Sequence, residues 1–456
     1  MWFLDYMNKL KNSYERVLNK LLNFFTNKLN TYLSFLIFIF IGLSILFARP
    51  FVGLYIFDIR IGELAIAGLF FLSFLILFIP KSIFPYDLSK LSQLFKLAIA
   101  FFMVSLLTSS SSILSPYTFR TSSYIWTFLM LFIGYVVVSD NDFSVLLKNF
   151  IILIPIFTYI ISTGNYPNII IDFFNKYSDK FQFIKAADLA IGLYISVLII
   201  NKHFKSKTVA FNLSLIVCSI FIPLMLFNSR GSFFSILIFI AFYLFQNHQF
   251  ILKNKLNFIL VLIISSACFF VSTLRVYGNL DFYKEPEAVT SEVVVESLKG
   301  ITGNKQPAKV FLSFYIQDGY LMSWDPTTDW RLDIWQDVLY DLIEKNQILI
   351  GYGYKDIIPV MLDPTAPGRL GRDGLNENVH NYFVNILARG GILQLLLFLY
   401  IYKTILTIYK RNHGDYKILI LLIPILILST LDVTMEGVNF PIIFYTYLGY
   451  TMKKGI

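Results

Sequence analysis

Long apolar runs alternate with short polar breaks along most of the 456-residue chain. A membrane-spanning helix needs about 20 mostly apolar residues, and twelve runs fit: 32–48, 61–80, 94–110, 121–138, 145–162, 184–201, 209–227, 231–246, 257–274, 381–402, 416–431 and 437–452. The pattern predicts an all-α polytopic membrane protein with about twelve transmembrane helices. One polar stretch interrupts the rhythm, from Arg275 to His380. The chain divides accordingly into an amphipathic N-terminal segment (1–30), a bundle of about nine spans (31–274), a long loop (275–380) and about three closing spans (381–456).

A loop of roughly a hundred residues is seldom an idle connection in so compact a chain, and function is expected there. Within it, Trp330, Ile334, Trp335, Val338, Leu342 and Ile343 share one stripe at helical spacing, with Thr328 or Asp329 as N-cap and Asn346 at the far end. That stripe predicts a helix lying on the bundle or the membrane face. The stretches 351–354 (GYGY) and 363–378 are rich in Gly, Pro, Asp and Asn, and read as irregular loop, either a flap over a site or ordinary surface.

Hydrophobic residues make up 56% of the chain and charged ones 15%, so the bilayer is the expected solvent. The net charge of +9 comes from short clusters between the spans, which excludes a continuous nucleic-acid face. Lys81/Lys90, Lys202/Lys205/Lys207, Lys253/Lys255, Lys403/Lys410/Arg411/Lys417 and Lys453/Lys454 all fall on one side when the spans are counted. The positive-inside rule makes that side cytoplasmic, with both termini inside and the long loop outside. The first thirty residues, with Lys9, Lys11, Arg16, Lys20 and Lys28, read as a cytoplasmic lead-in rather than a cleavable signal. Cys218 and Cys268 lie inside apolar runs and imply neither a disulfide framework nor a zinc site.

Several charged residues stand on the loop side. His380 sits where polar loop becomes apolar helix; the field of a helix start favours a neutral ring, fit to accept a proton, although an interfacial cap on Asn381 fits the same position. Arg230, in the turn FNSRGSFF, either snorkels to headgroups or meets an anion. Arg331 is badly placed for the dipole of its helix, and Asp329 and Asp333 are the nearest acids to neutralise it. Arg275, Arg369 and Arg372 are further cations on that side, and Asp172, Asp188, Asp281, Asp318, Asp432 and Glu436 are its acids. No HExxH, Walker loop, GxGxxG or GxSxG pattern is present, and no metal or cofactor is called for. Arginines and one histidine on a single face suit a diphosphate held while a neutral hydroxyl attacks.

Three stretches carry a family resemblance: NSRGSFFSILIFIAFYLF (228–245), WRLDIWQDVLYDLIEKNQILIGYGY (330–354) and VHNYFVNILARGGILQLLLFLY (379–400). In this order, on a polytopic bundle with one late long loop, they resemble the O-antigen ligase/polymerase superfamily. The resemblance implies a membrane glycosyltransferase of the C-type fold in the bacterial inner membrane. Such an enzyme moves a glycan from an undecaprenyl-diphosphate carrier to an acceptor hydroxyl at the periplasmic face, without a metal. It implies that Arg230 and Arg331 hold the diphosphate and that His380 acts at the acceptor; Arg275, a cation of the same face outside the three motifs, is expected to join the diphosphate site. Arg369 and Arg372 are possible loop contributors with no counterpart in the motifs, and Arg389-Gly390-Gly391 departs from the usual continuation after the histidine.

The expected activity is polymerisation of lipid-linked repeat units with inversion at the anomeric carbon, membrane lipid and a chain-length regulator being the further partners. A ligase that delivers finished glycan to lipid A-core or to a protein shares the same donor chemistry. A lipid-linked oligosaccharide flippase is the alternative from another class. It would be built of related halves, and no halves match here.

Overall fold

The computed structural model describes residues 13–14, 16–17, 30–68, 88–108, 115–135, 145–164, 167–178, 185–277, 313–366, 368–370 and 376–456. Within them the chain is predominantly helical. The principal helices are α1 (Asn30–Phe47), α2 (Leu88–Thr108), α3 (Val145–Gly164), α4 (Asn168–Tyr177), α5 (Ala186–His203), α6 (Lys207–Asn228), α7 (Arg230–Gln246) and α8 (Lys255–Val276). A hairpin of β1 (Phe314–Gln317) and β2 (Tyr320–Ser323) follows, then α9 (Pro326–Glu344), α10 (Tyr382–His413), α11 (Leu419–Leu431) and α12 (Asn439–Lys454). By length and composition α5, α6, α8 and α10 are able to cross a membrane, and shorter apolar helices, α7 and α11 among them, accompany these four. Most of the lead-in at 1–30, all of 278–312 with Asp281, and Arg372 lie outside the described residues.

Local chemistry explains where the helices depart from the hydropathy pattern. The run expected as one span at 121–138 is instead three short pieces, Pro116–Thr121, Ser123–Thr127 and Met130–Ile133, stepped by turns. Backbone crowding accompanies the break: a Cβ on Gly134 would come within 2.0 Å of the Thr446 carbonyl oxygen, and one on Gly449 within 1.9 Å of that of Leu131. Glycine at both positions lets α12 touch this segment backbone to backbone, as small residues do between membrane helices. On α8, by contrast, Leu256, Ile259, Leu260, Ile263, Ile264 and Val271 are exposed, the expected dress of a lipid-facing helix. Its other side is fixed to α6 by the reciprocal amide pair Asn212–Asn257 at 3.0 and 2.9 Å.

The long loop carries its own small core. Ile334, Val338 and Leu342 of α9 pack with Ile358, Met361, Val379, Leu387 and Ala388, with Trp330 and Trp335 half-buried against them, so half of the expected stripe is buried, while Ile343 is exposed. The helix begins earlier than Thr328 or Asp329. Asp325 is the N-cap, its carboxylate accepting from the Thr328 amide at 3.0 Å, and Pro326 occupies the first turn, where its missing N–H costs nothing.

Helix α10 is also not the uninterrupted span expected from 381. Gly391 has φ +68°, and the two bonds that a continuous helix would make there, from Ile392 to Ala388 and from Leu393 to Arg389, are exchanged with the segment 348–353. Tyr352 and Gly353 amides donate to the Ala388 and Arg389 carbonyls at 2.7 and 2.9 Å, while Ile392 and Leu393 amides donate to Ile348 and Leu349 at 2.9 and 3.3 Å. Irregular backbone is tolerated in a membrane helix where protein satisfies it, and here the GYG loop does so.

Candidate active site

The N-terminal end of α10, the first turns of α9 and α7, and the segment after α11 converge on one cluster of charge. Its centre is Asp325. One carboxylate oxygen pairs with the Arg230 guanidinium, while the other accepts from both the Thr328 amide and its hydroxyl, at 3.0 and 2.6 Å. Asp325 is buried, so this pair exists because helix α9 needs a cap where helix α7 presents a cation. Ser229, the N-cap of α7, sets the register that turns Arg230 toward it.

One turn further along α9, Arg331 donates to the Leu431 carbonyl at the end of α11. Burial holds its pKa below the usual arginine value, with Asp432 and Asp325 pulling the other way; a guanidinium with these neighbours stays charged near neutrality. The acids expected to neutralise it do other work. Asp329 accepts from the Ser323 amide at 2.8 Å, and Asp333 pairs with Arg369.

His380 stands beside these cations in a left-handed conformation, φ +54°, one residue before the N-cap. Asn381 itself caps α10, accepting from the Phe383 and Val384 amides at 3.0 and 3.2 Å. The imidazole is thus released from capping and lies edge-on to Trp330, ring centres 4.9 Å apart. Its Nε2 is 3.2 Å from Asn376 Oδ1. That amide is oriented by its own bonds: Nδ2 donates to the Gly368 and Asn378 carbonyls, and Oδ1 accepts from the Asn378 amide. Nε2 therefore carries the proton, and Nδ1, buried and without a hydrogen-bond partner, keeps its lone pair.

The ring is neutral, as its position predicted, but for a different main reason. Burial lowers its pKa to about 4, with Arg331 and then Lys185 adding to the effect. At pH 7 roughly one ring in a thousand is charged.

Lys185 and Arg49 belong to the same neighbourhood. Burial and the Arg49 charge lower the Lys185 pKa, against Asp432 and Asp188. Arg49 donates to the Val433 carbonyl at 3.0 Å. Glu436, on the same connection between α11 and α12, has both carboxylate oxygens buried, and burial lifts its pKa to about 8 against the pull of the Glu436 and Thr434 amides. What hid these residues in the sequence is distance along the chain: 49, 185 and 432–436 belong to three separate turns.

Three further cations make contacts of their own. Arg369 is almost fully buried, 1% exposed, and divides its NH2 group between Asp333 and Asp337, each at 2.7 Å. Its guanidinium is committed to the core of the loop. Arg275, in the last turn of α8, faces Tyr159 of α3. Arg389, the departure from the expected motif, is buried and donates to the Gly353 and Asp356 carbonyls and to the Tyr117 hydroxyl. Among the described residues no three of His, Cys, Asp and Glu stand close enough to share a metal ion.

This architecture is that of a multi-pass membrane protein with a cationic, histidine-bearing cluster where α7, α9 and the start of α10 meet. Residues 213–399, a segment that holds Arg230, Arg331 and His380, match a protein-family model described as O-antigen ligase. Members of the family are glycosyltransferase-like membrane enzymes acting on lipid-linked glycans. No curated protein matches the chain.

Proposed function

We propose that the chain polymerises undecaprenyl-diphosphate-linked oligosaccharide repeat units at the periplasmic face of the inner membrane. The observation that carries this reading is an unprotonated, partnerless His380 Nδ1 in the field of Arg331, with Arg331 in turn in the field of the buried Asp325 that pairs with Arg230. A diphosphate is a competent leaving group once its charge is met, and guanidinium groups meet it in fork geometry. The acceptor hydroxyl attacks the anomeric carbon from the face opposite the carbon–oxygen bond to phosphate. That bond breaks, its electron pair leaves with the undecaprenyl diphosphate, and the hydroxyl proton passes to His380 Nδ1.

A ring with pKa near 4 is a weak base in the resting protein. Binding the donor changes this. A diphosphate on Arg331 offsets the positive charge that helps hold the pKa of His380 down, so the base strengthens when its substrate is in place.

The description of the matching family model favours a second reading, ligation of finished glycan to lipid A-core. Purified protein given defined lipid-linked repeat units, with and without lipid A-core and with EDTA present, separates the two. A ladder of lengthening products without lipid A-core supports polymerisation, and products formed only on lipid A-core support ligation. Loss of turnover in EDTA overturns the metal-free mechanism.

A further inference from the structure

The hairpin ahead of α9 presents two faces. Antiparallel pairing sets Tyr315 opposite Met322 and Gln317 opposite Tyr320, and a bond from the Trp324 amide to the Ser313 carbonyl at 3.1 Å carries the ladder one pair further. Tyr315, Tyr320 and Trp324 therefore share a face. On it the Tyr315 and Trp324 rings stack with centres 4.5 Å apart and planes 26° from parallel. The Trp324 side chain is nevertheless 56% exposed. Asp318 and Gly319, at φ +51° and +84°, form the tight turn that holds the strands in register.

Trp324 directly precedes Asp325. In extended backbone, φ −84° and ψ 113°, neighbouring side chains point to opposite sides, so Asp325 turns inward to Arg230 and Trp324 turns outward. An indole stacked on one face and open on the other is a flat, rigid, apolar surface with little rotamer entropy left to lose.

We propose that the Tyr315–Trp324 stack is a saccharide subsite, in which the open face of the indole takes the C–H face of a pyranose ring. The assignment deepens the glycosyl-transfer reading and rests on it. Because Trp324 and Asp325 face apart, the sugar on the indole is not the one bonded to the diphosphate; it lies further along the glycan. A pyranose suits such a surface because its axial C–H groups form an apolar face while its equatorial hydroxyls stay in water.

The test uses the full chain in nanodiscs and two probes from the source strain: its undecaprenyl-diphosphate-linked oligosaccharide, and the free oligosaccharide released from it by mild acid and labelled at the reducing end. Anisotropy of the labelled sugar should show binding weakened about three- to tenfold by Trp324→Ala, weakened likewise by Tyr315→Leu, and restored to within about twofold by Trp324→Phe. For the lipid-linked donor the loss should fall on KM and grow with glycan length, with kcat little altered. Equal binding by Trp324→Ala and the unaltered chain overturns the subsite. So does quenching of Trp324 emission by brominated lipid together with unchanged sugar binding, which would make the indole a membrane anchor. If the lipid-linked donor is never turned over while sugar binding still depends on Trp324, the transfer reading fails and the subsite stands.

Discussion

Asp325 holds Arg230 with one carboxylate oxygen and the first turn of α9 with the other. Cap and ion pair are therefore one interaction seen from two helices. Replacing Asp325 by Ala should cost about 1 kcal/mol for the cap alone and also release Arg230. Combined with Arg230→Ala the losses in stability should fail to add, with a coupling of about 1–3 kcal/mol. Additive values in a double-mutant cycle, read by denaturation in detergent, would show that the two residues act separately.

The charge state of His380 gives a pH signature. In the free enzyme the ring protonates near pH 4, so kcat/KM should show no acid limb from this group above about pH 5. With donor bound, Arg331 is offset and the acid limb of kcat should lie at higher pH than that of kcat/KM. His380→Gln should lower kcat by about 10²- to 10⁴-fold with donor KM little changed. An acid limb in kcat/KM near pH 6.5 would contradict the burial that the structure gives the ring.

Glu436 makes the opposite kind of statement, about stability. Its pKa is lifted from 4.5 to about 8, so the folded chain holds a proton that the unfolded chain has lost. The contribution is complete below pH 4.5 and disappears as pH rises through 8. Burial of His380 works in the other direction, but only between pH 4 and 6.5, because its folded pKa is the lower one. Above pH 6.5 the slope left between these two groups is that of Glu436. The Tm should fall by several degrees between pH 6.5 and 8, and Glu436→Gln should flatten that fall.

Arg369 should act on folding rather than on the donor. Its loss leaves Asp333 and Asp337 facing each other with no cation between them. Arg369→Met should therefore cost about 1–2 kcal/mol, since both carboxylates stay partly in water, and a further Asp333→Asn, Asp337→Asn change should recover much of it. Unchanged stability with a raised KM for the donor would return Arg369 to the anion site.

Much of the scaffold was legible because hydrophobicity and helical period are local. The α9 stripe and the apolar runs that became helices needed nothing beyond their own neighbours in sequence. The broken segment at 116–133 escaped because the backbone contacts that accompany the break, Gly134 with Thr446 and Leu131 with Gly449, span about three hundred residues. The site divides the same way. Arg230, Arg331 and His380 stood out by residue type beside apolar runs. Asp325, Lys185 and Arg49 did not, since only folding brings a helix cap or a turn lysine against them. The GYG stretch was too short to interpret until its amides were found on Ala388 and Arg389.

That exchange of bonds also bears on how the chain is made. Residues 348–353 leave the ribosome before residues 388–393, so the strip that completes the broken helix already exists when the break is synthesised. The helix can enter the bilayer with its displaced carbonyls answered from a neighbour rather than carried bare through hydrocarbon. Deleting or shortening 348–353 should therefore be felt first as poor insertion and low yield, ahead of any defect in catalysis.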